Sequence, residues 1–159
     1  MTHMVIVLDL DGTLIAEGPD EVVLRPYVEE FLDFCFSEFE VHVWTAASEE
    51  WAEEVLSSLP RRDFKSVRCG ASRSYVYSMY GGSEVRTTKN LTRYFDKDRT
   101  IIVDDTPETF RRNYGNAVYV KTYTGDETDM ALLDLIPKLQ SLKKAAMEQG
   151  SVRHVQRPR

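Results

Sequence analysis

The sequence has few cysteines, no metal-binding histidine spacing and no long apolar run, and each absence excludes a class of protein. Cys35 and Cys69 form neither a CxxC pair nor a disulfide-rich pattern, so we expect two free thiols, with Arg68 lowering the pKa of its neighbour Cys69. The three histidines stand far apart in the chain, which does not favour a histidine metal site. No apolar stretch reaches the roughly 18 residues of a membrane-spanning helix. With no signal-peptide pattern either, we expect an intracellular protein, nuclear or cytoplasmic, without a membrane partner.

Positive charge is also scarce, because 20 Lys and Arg oppose 26 Asp and Glu and leave a net charge of −6. A surface built mainly for nucleic-acid phosphates is therefore not expected. A length of 159 residues with 42% hydrophobic residues fits one globular domain. The oligomeric state is left open.

Strand-like and helix-like segments alternate along the chain, which predicts an α/β fold with a mainly parallel sheet. A helix is predicted over Tyr27–Phe36, and a long C-terminal helix over Asp129–Met147 with an interruption near Pro137. Tyr75 and Tyr77, then Gly81-Gly82 and Val85–Thr87, predict a hairpin with one packed face; a nucleic-acid stacking platform is the less favoured alternative. Residues 149–159 are polar and basic, so we expect a flexible tail after a domain of residues 1–148.

The stretch Val5–Leu14 organises the chain, because an apolar strand ends there in two acids, a glycine and a threonine. Asp9 and Asp11 stand two residues apart, so in a strand both carboxylates face one side and repel each other unless a cation lies between them. Mg²⁺, which prefers oxygen ligands, suits such a site. Gly12 allows a turn that offers backbone N–H groups and the Thr13 hydroxyl to an anion. The alternative is an ordinary Asp-Gly turn after a buried strand.

Two further predicted strands end in residues suited to the same chemistry. Val41–Thr45 ends in Thr45, and Thr100–Val103 is followed by Asp104 and Asp105. The carboxyl ends of parallel strands meet at one edge of a sheet, where such folds bind ligands, so these residues can share one cation and one phosphate. Lys89 is a candidate countercharge, although taken alone it is an ordinary surface lysine.

Several ordered motifs between Val5 and Leu142 resemble the haloacid-dehalogenase phosphatase superfamily, in particular its NIF-like branch, which includes small phosphatases of the RNA polymerase II C-terminal domain. The motifs are Asp9-Leu-Asp-Gly-Thr-Leu14, Leu24-Arg-Pro26 with Glu30-Phe-Leu32, Val43-Trp-Thr-Ala46, Lys89-Asn-Leu91, Val103-Asp-Asp-Thr-Pro107, and Asn116-Ala-Val118 with Gly125-Asp126. The resemblance implies a three-layer Rossmann-like sandwich with a mainly parallel central sheet.

The resemblance also assigns roles to residues. Asp9 would be the nucleophile and Asp11 the general acid and base, with Thr45 binding the phosphate and Lys89 neutralising it. Mg²⁺ would be held by Asp105 with Asp104 in support, by one oxygen of Asp9 and by the main-chain carbonyl of Asp11. The substrate-binding set implied in this way is Leu10, Gly12, Thr13, Thr45, Ala46, Arg68 and Lys89.

Three features differ from relatives that act on the polymerase tail. Those relatives often carry Glu where Gly12 stands, and they have a longer insert than Ile15–Val23 before the Leu-Arg-Pro segment. The segment Ser72–Thr88 is in turn longer than theirs, so polymerase-tail specificity does not follow from the resemblance.

These inferences predict a Mg²⁺-dependent phosphomonoester hydrolase that works through an aspartyl phosphate. The inserts are too short for a large cap domain, so the catalytic edge should lie open to phosphoserine or phosphothreonine in a protein segment, lined by Arg68 and Tyr75–Tyr80. A phosphatase of small metabolites or nucleic-acid 3′-phosphate ends is the first alternative. A non-catalytic phosphate-binding module is the second.

Overall fold

The computed structural model describes residues 3–16, 21–70, 72–77, 83–106 and 113–156, with side chains for all of these except residues 72–77, 83–88 and 154. In chain order the elements are β1 Val5–Leu8, α1 Val28–Glu38, β2 Glu40–Thr45, α2 Glu49–Ser58, β3 Val67–Cys69, β4 Ser72–Tyr77, β5 Ser83–Thr88, β6 Thr100–Asp104, β7 Ala117–Tyr119, α3 Ala131–Gln149 and α4 Val152–Gln156. A 3₁₀ turn spans Leu91–Arg93.

The central sheet has five strands in the order β3-β2-β1-β6-β7, and every neighbouring pair is parallel. Leu8 stands opposite Val43 on one side and Val103 on the other, and Val43 stands opposite Val67. The prediction of an α/β fold around a mainly parallel sheet is confirmed.

Alternation along β1 divides the core between the two faces of the sheet. Ile6 and Leu8 belong to the larger cluster, to which α1, α2 and α3 contribute buried residues such as Phe31, Val55 and Leu139. Val5 and Val7 face the opposite side and pack with Trp44, Leu91, Ile102 and Ala117 in a smaller cluster. Every side chain of β1 is thus buried, as expected for the central strand of a layered α/β domain.

The predicted hairpin is present as β4 and β5, which pair antiparallel with Tyr75 opposite Val85. It is the only secondary structure that the described residues place between β3 and the Lys89 segment. The side chains of Tyr75–Tyr80 lie outside the described part of the chain, so the expectation that they line the substrate surface stays a prediction.

Two helices differ in detail from their sequence predictions. α1 begins at Val28, after Tyr27 adopts a left-handed backbone with φ 67°. α3 runs through Pro137 without interruption. A proline inside a helix removes one backbone hydrogen bond, and the buried face that includes Leu132, Leu135 and Leu139 holds the helix together on both sides of it.

The structure differs from the predicted flexible tail over the residues that follow α3. Ser151 and Val152 are buried, the Val152 N–H donates to the Asp98 carbonyl at 2.8 Å, and the Gln156 amide donates to the Gly115 carbonyl at 2.9 Å. Residues 157–159 lie outside the described ranges. Within those ranges, no helix combines the length and apolar character needed to cross a membrane.

Candidate active site

Three neighbouring strands deliver polar side chains to one edge of the sheet. Asp9 directly follows β1, β2 ends at Thr45, and β6 ends at Asp104 with Asp105 next to it. β1 lies between the other two strands, and all three run in the same direction. As predicted, Asp9, Thr45, Asp104 and Asp105 therefore lie at the carboxyl edge of the sheet.

Lys89 joins two of these acids and is no surface lysine. Its Nζ donates to Asp9 Oδ1 at 2.8 Å and to Asp104 Oδ2 at 2.7 Å. Lys89, Asp9 and Asp104 are all buried. Lys89 reaches the sheet because Leu91, two residues later, is anchored in the smaller core cluster.

Burial makes the charges of this cluster interdependent. Desolvation raises the pKa of the Asp9 carboxyl well above its usual range, although the Lys89 ammonium opposes that effect. Burial alone would lower the pKa of Lys89, but the nearby carboxylates of Asp9 and Asp104 outweigh it, so the net shift is upward. The ammonium therefore stays charged and acts as a fixed positive group at the strand ends.

The acidic residues fit a divalent cation. Asp9, Asp104 and Asp105 are buried and each offers a carboxylate oxygen, all within 4.8 Å of one another. Three carboxylates face one ammonium, so two negative charges would remain if all were ionised, and a divalent cation with oxygen ligands balances them. Thr122 Oγ1 donates to Asp105 Oδ2 at 2.8 Å, and the Thr106 N–H donates to Asp104 Oδ1 at 2.9 Å, which orients both side chains.

The Asp11 carboxylate lies outside this three-acid group and instead meets Trp51. The indole N–H of Trp51 donates to Asp11 Oδ1 at 2.9 Å and lies 3.2 Å from Oδ2. Asp11 is only partly buried. Among the described residues nothing donates to the Asp11 main-chain carbonyl, which leaves that oxygen available as a metal ligand.

Position 12 requires glycine for two reasons, its positive φ angle and the lack of space for a Cβ atom. Its φ is +82°, and a Cβ at this position would lie 2.2 Å from Asp105 Oδ2. Its N–H donates to the Ile15 carbonyl at 2.9 Å, and the Thr13 N–H donates to the Leu10 carbonyl at 3.1 Å. These two N–H groups are thus engaged within the turn, whereas the N–H groups of Leu10 and Asp11 have no backbone acceptor among the described residues.

The two threonines of the predicted site are already hydrogen-bonded. Thr13 Oγ1 donates to Asp9 Oδ2 at 3.2 Å, so each Asp9 oxygen has one donor, from Thr13 or from Lys89. Thr45 is buried, and its Oγ1 accepts from the Ala47 N–H at 3.1 Å. Ala46, which lies between Thr45 and Ala47 in the chain, is exposed at the end of β2.

Arg25 stabilises the Asp9–Ile15 turn through hydrogen bonds to its carbonyl groups, a role that we did not predict from the sequence. Its fully buried guanidinium donates to the Gly12 and Thr13 carbonyls at 3.1 and 3.2 Å and to the Lys121 carbonyl at 2.7 Å. It also holds both oxygens of Asp129, at 2.8 and 3.0 Å. Arg25 thereby ties the Asp9–Ile15 turn to a segment more than ninety residues later.

Arg68 and Cys69 end β3, two strands away from β1. The Arg68 guanidinium carbon lies 3.6 Å from the centre of the Tyr94 ring. The expectation that Arg68 lowers the pKa of Cys69 is wrong. Partial desolvation of this exposed residue, together with Glu49 and Glu53, raises the pKa of the Cys69 thiol. Arg68 does not counter that shift, because neighbouring strand residues face opposite sides of the sheet.

Comparison with known proteins agrees with this geometry. Residues 4–152 match the model of the NLI interacting factor-like phosphatase family. The chain is 33% identical over 157 residues to CTD small phosphatase-like protein 1 of Caenorhabditis elegans, covering 86% of this chain and 31% of that protein. It is 32% identical over 161 residues to the putative CTD phosphatase-like protein 355R of invertebrate iridescent virus 6, covering 78% of this chain and 88% of that protein.

Solved structures show the same fold. A variant of the fission yeast RNA polymerase II CTD phosphatase Fcp1 bound to beryllium fluoride superposes with a TM-score of 0.57 at 17% identity, covering 94% of this chain and 53% of that chain. The chain spans between about a third and a half of the length of the first two curated relatives. From the family match across most of its length, the chain belongs to the NLI interacting factor-like phosphatase family.

Proposed function

We propose that this protein is a Mg²⁺-dependent phosphomonoester hydrolase that forms an aspartyl phosphate on Asp9 and acts on phosphoserine or phosphothreonine in proteins. The observation that carries the proposal is the buried group of Asp9, Asp104 and Asp105 around the Lys89 ammonium. A buried set of three acids with one lysine is costly for stability unless a cation balances the remaining negative charge, and such clusters mark functional sites.

Asp9 acts as the nucleophile in this proposal. One carboxylate oxygen attacks phosphorus and the ester oxygen leaves, so the phosphoryl group passes to Asp9 before water removes it. Lys89 and the backbone N–H groups of Leu10 and Asp11 stabilise the negative charge on the transferring group. Asp9, Asp104, Asp105 and the Asp11 carbonyl would hold Mg²⁺, which would supply positive charge against the repulsion between the carboxylate and the phosphate.

Asp11 handles the proton. Its side chain lies outside the three-acid group and is partly exposed, so it can meet a leaving oxygen at the open side of the site. It donates a proton to that oxygen and later accepts one from the attacking water. Trp51 restricts the Asp11 carboxylate to one orientation through the indole hydrogen bond.

The substrate class follows from what surrounds the site. Among the described residues, one helix and two isolated bridges, Asp11 with Ile15 and Ile15 with Leu24, lie between β1 and β2. One hairpin lies between β3 and Lys89 in the part of the chain that the structure describes. Neither insert amounts to a cap domain within the described ranges, which favours a substrate that supplies its own binding surface, such as a protein segment. The CTD phosphatase names of the relatives agree with this class.

A substrate panel tests the proposal. We expect kcat/KM for phosphoserine and phosphothreonine peptides to exceed that for sugar phosphates, nucleotides and 3′-phosphorylated DNA in the presence of Mg²⁺. If a metabolite or a DNA end is preferred by about tenfold or more, a difference of roughly 1.4 kcal/mol, the protein-directed proposal is wrong. If no phosphomonoester is hydrolysed, the phosphate-binding module replaces it.

A further inference from the structure

A cavity of about 460 Å³ lies at the end of β3 and includes Arg68 of the predicted substrate-binding set, but none of the acids, Thr45 or Lys89. It is lined by Trp44, Val67, Arg68, Cys69, Gly70, Arg93 and Tyr94. Two of these residues are arginines, and none is acidic. In a chain with a net charge of −6, a cavity with two arginines and no lining carboxylate indicates an acidic ligand.

Aromatic contacts fix the position of the first arginine. The Arg68 guanidinium carbon lies 3.6 Å from the centre of the Tyr94 ring, and Tyr94 meets Trp44 edge to face at 5.4 Å between ring centres. Trp44 is in turn held by a hydrogen bond from its indole N–H to the Gly70 carbonyl, at 3.0 Å. Because stacking leaves the edge of a guanidinium free, Arg68 is preorganised to bind an oxyanion with little loss of side-chain entropy.

The hydrogen-bonding capacity of Arg68 is not used by the described part of the protein. No residue there accepts a hydrogen bond from its guanidinium, and its Nε is buried without a partner. An unpaired buried donor is unfavourable, and an acidic ligand beside the terminal nitrogens offsets that cost by pairing the charge. Arg93, which is exposed at the end of the 3₁₀ turn, adds a second positive charge to the rim.

Strand register places the Trp44 and Arg68 side chains of the cavity on the same face of the sheet as the Asp9 side chain. Leu8, Val43 and Val67 are aligned across the sheet, so the residues that follow them, Asp9, Trp44 and Arg68, share the opposite face. β1 and β3 are two strand spacings apart, roughly 10 Å. An extended peptide advances about 3.3 Å per residue, so about three residues span this distance.

We propose that the Arg68–Arg93 cavity is a second subsite that binds an acidic group of the substrate, two to four residues from the phosphorylated residue. The proposal rests on the protein-directed function above and adds a specificity rule to it. The acidic group is an oxyanion, supplied either by an Asp or Glu carboxylate or by a second phosphate on the same segment.

A charge scan of a phosphoserine peptide tests the subsite. Each of the four positions on either side of the phosphoserine is made Glu or, as a neutral isostere, Gln, and kcat/KM is measured for each peptide. We expect Glu to exceed Gln by about tenfold at one position two to four residues away, the size of one charge-assisted hydrogen bond. A second phosphoserine at that position shows whether phosphate is preferred to carboxylate.

The assignment to arginine is tested with variants. Arg68→Gln and Arg93→Gln should each reduce the Glu-to-Gln ratio, and the double variant should bring it close to one. The control is Arg99→Gln, because Arg99 is an arginine outside the cavity and should leave the ratio unchanged. Equal kcat/KM for Glu and Gln at every position, or an unchanged ratio in the double variant, overturns the subsite.

Failure of the proposed function gives a different result. If the wild type hydrolyses none of these peptides, the protein-directed activity is wrong, and fluorescence anisotropy of the labelled peptides then decides the subsite separately. Binding of a Glu peptide at least about tenfold tighter than its Gln partner supports an acid-binding cavity, and equal binding overturns it.

Discussion

Replacing Arg25 by Met removes a buried cation while keeping an apolar side chain of similar length. Arg25 makes five hydrogen bonds, two to the Asp129 carboxylate and three to the carbonyls of Gly12, Thr13 and Lys121. In the variant the Thr13 and Lys121 carbonyls lose this donor, and the partly buried Asp129 charge loses its cation and keeps only the Ala131 N–H. The Gly12 carbonyl still accepts from the Tyr123 N–H. Removing one partner of a buried ion pair costs about 3–5 kcal/mol, and the 12% exposure of the Asp129 side chain places the expected loss near the lower value.

The free energy of unfolding is measured by urea titration at pH 7, with Arg99→Met as the matched control. Arg99 pairs with Asp96 at 3.8 Å and is 38% exposed, so its loss should cost less than about 1 kcal/mol. A loss of about 3 kcal/mol for Arg25→Met corresponds to a fall in Tm of about 6–12 °C in a domain of this size. If Arg25→Met is no less stable than the control, the buried network does not stabilise the turn.

The stability difference between wild type and Arg25→Met should also depend on pH. The hydrogen bonds from Arg25 lower the pKa of Asp129 below its usual value, against the opposing effect of burial. A carboxyl with a lowered pKa in the folded state stabilises the protein above the unfolded pKa of about 4 and loses that contribution as pH falls through the folded pKa. The difference should therefore be complete at pH 6–7 and shrink below about pH 4; a constant difference would contradict the ion pair.

Three further predictions concern the site. Asp11→Asn should reduce kcat/KM more for alkyl phosphates than for activated aryl phosphates, because poor leaving groups need the proton; an equal loss in both series would contradict the acid role. Asp105→Ala should raise the Mg²⁺ concentration for half-maximal activity at least about tenfold, and full wild-type activity in excess chelator would contradict the metal site. Lys89→Met should lower kcat by about 10² or more while a thermal melt with Mg²⁺ shows a folded protein, and a wild-type rate would remove Lys89 from the mechanism.

The part of the site that could be predicted lies at strand ends. Apolar runs followed by acids or threonine locate Asp9, Thr45 and Asp104 at the ends of strands, and the parallel sheet then brings these ends to one edge. Lys89 was a candidate from its charge and from the family resemblance. Nothing in the local sequence shows that Leu91 anchors it beside Asp9 and Asp104.

The residues that sequence reasoning missed act across long separations. Arg25 and Asp129 are 104 residues apart, and Trp51 and Asp11 are 40 apart, so no local pattern connects either pair. A signal for Arg25 did exist, because an arginine between Leu24 and Pro26 at a helix start is an unusual place for an unpaired charge. The wrong prediction for Cys69 came from sequence adjacency, which in a strand separates two side chains to opposite faces.

The most direct test of the proposed chemistry is to look for the phosphoryl group on Asp9. Wild type and Asp9→Asn are mixed with a phosphoserine peptide and Mg²⁺, quenched in acid within the first turnover and mapped by mass spectrometry, with circular dichroism showing that both proteins are folded. We predict a phosphoryl group on the wild-type fragment that contains Asp9, and neither phosphorylation nor turnover in the variant, because an amide cannot act as the nucleophile. Comparable turnover by folded Asp9→Asn, or phosphorylation at another residue, would contradict the proposed mechanism.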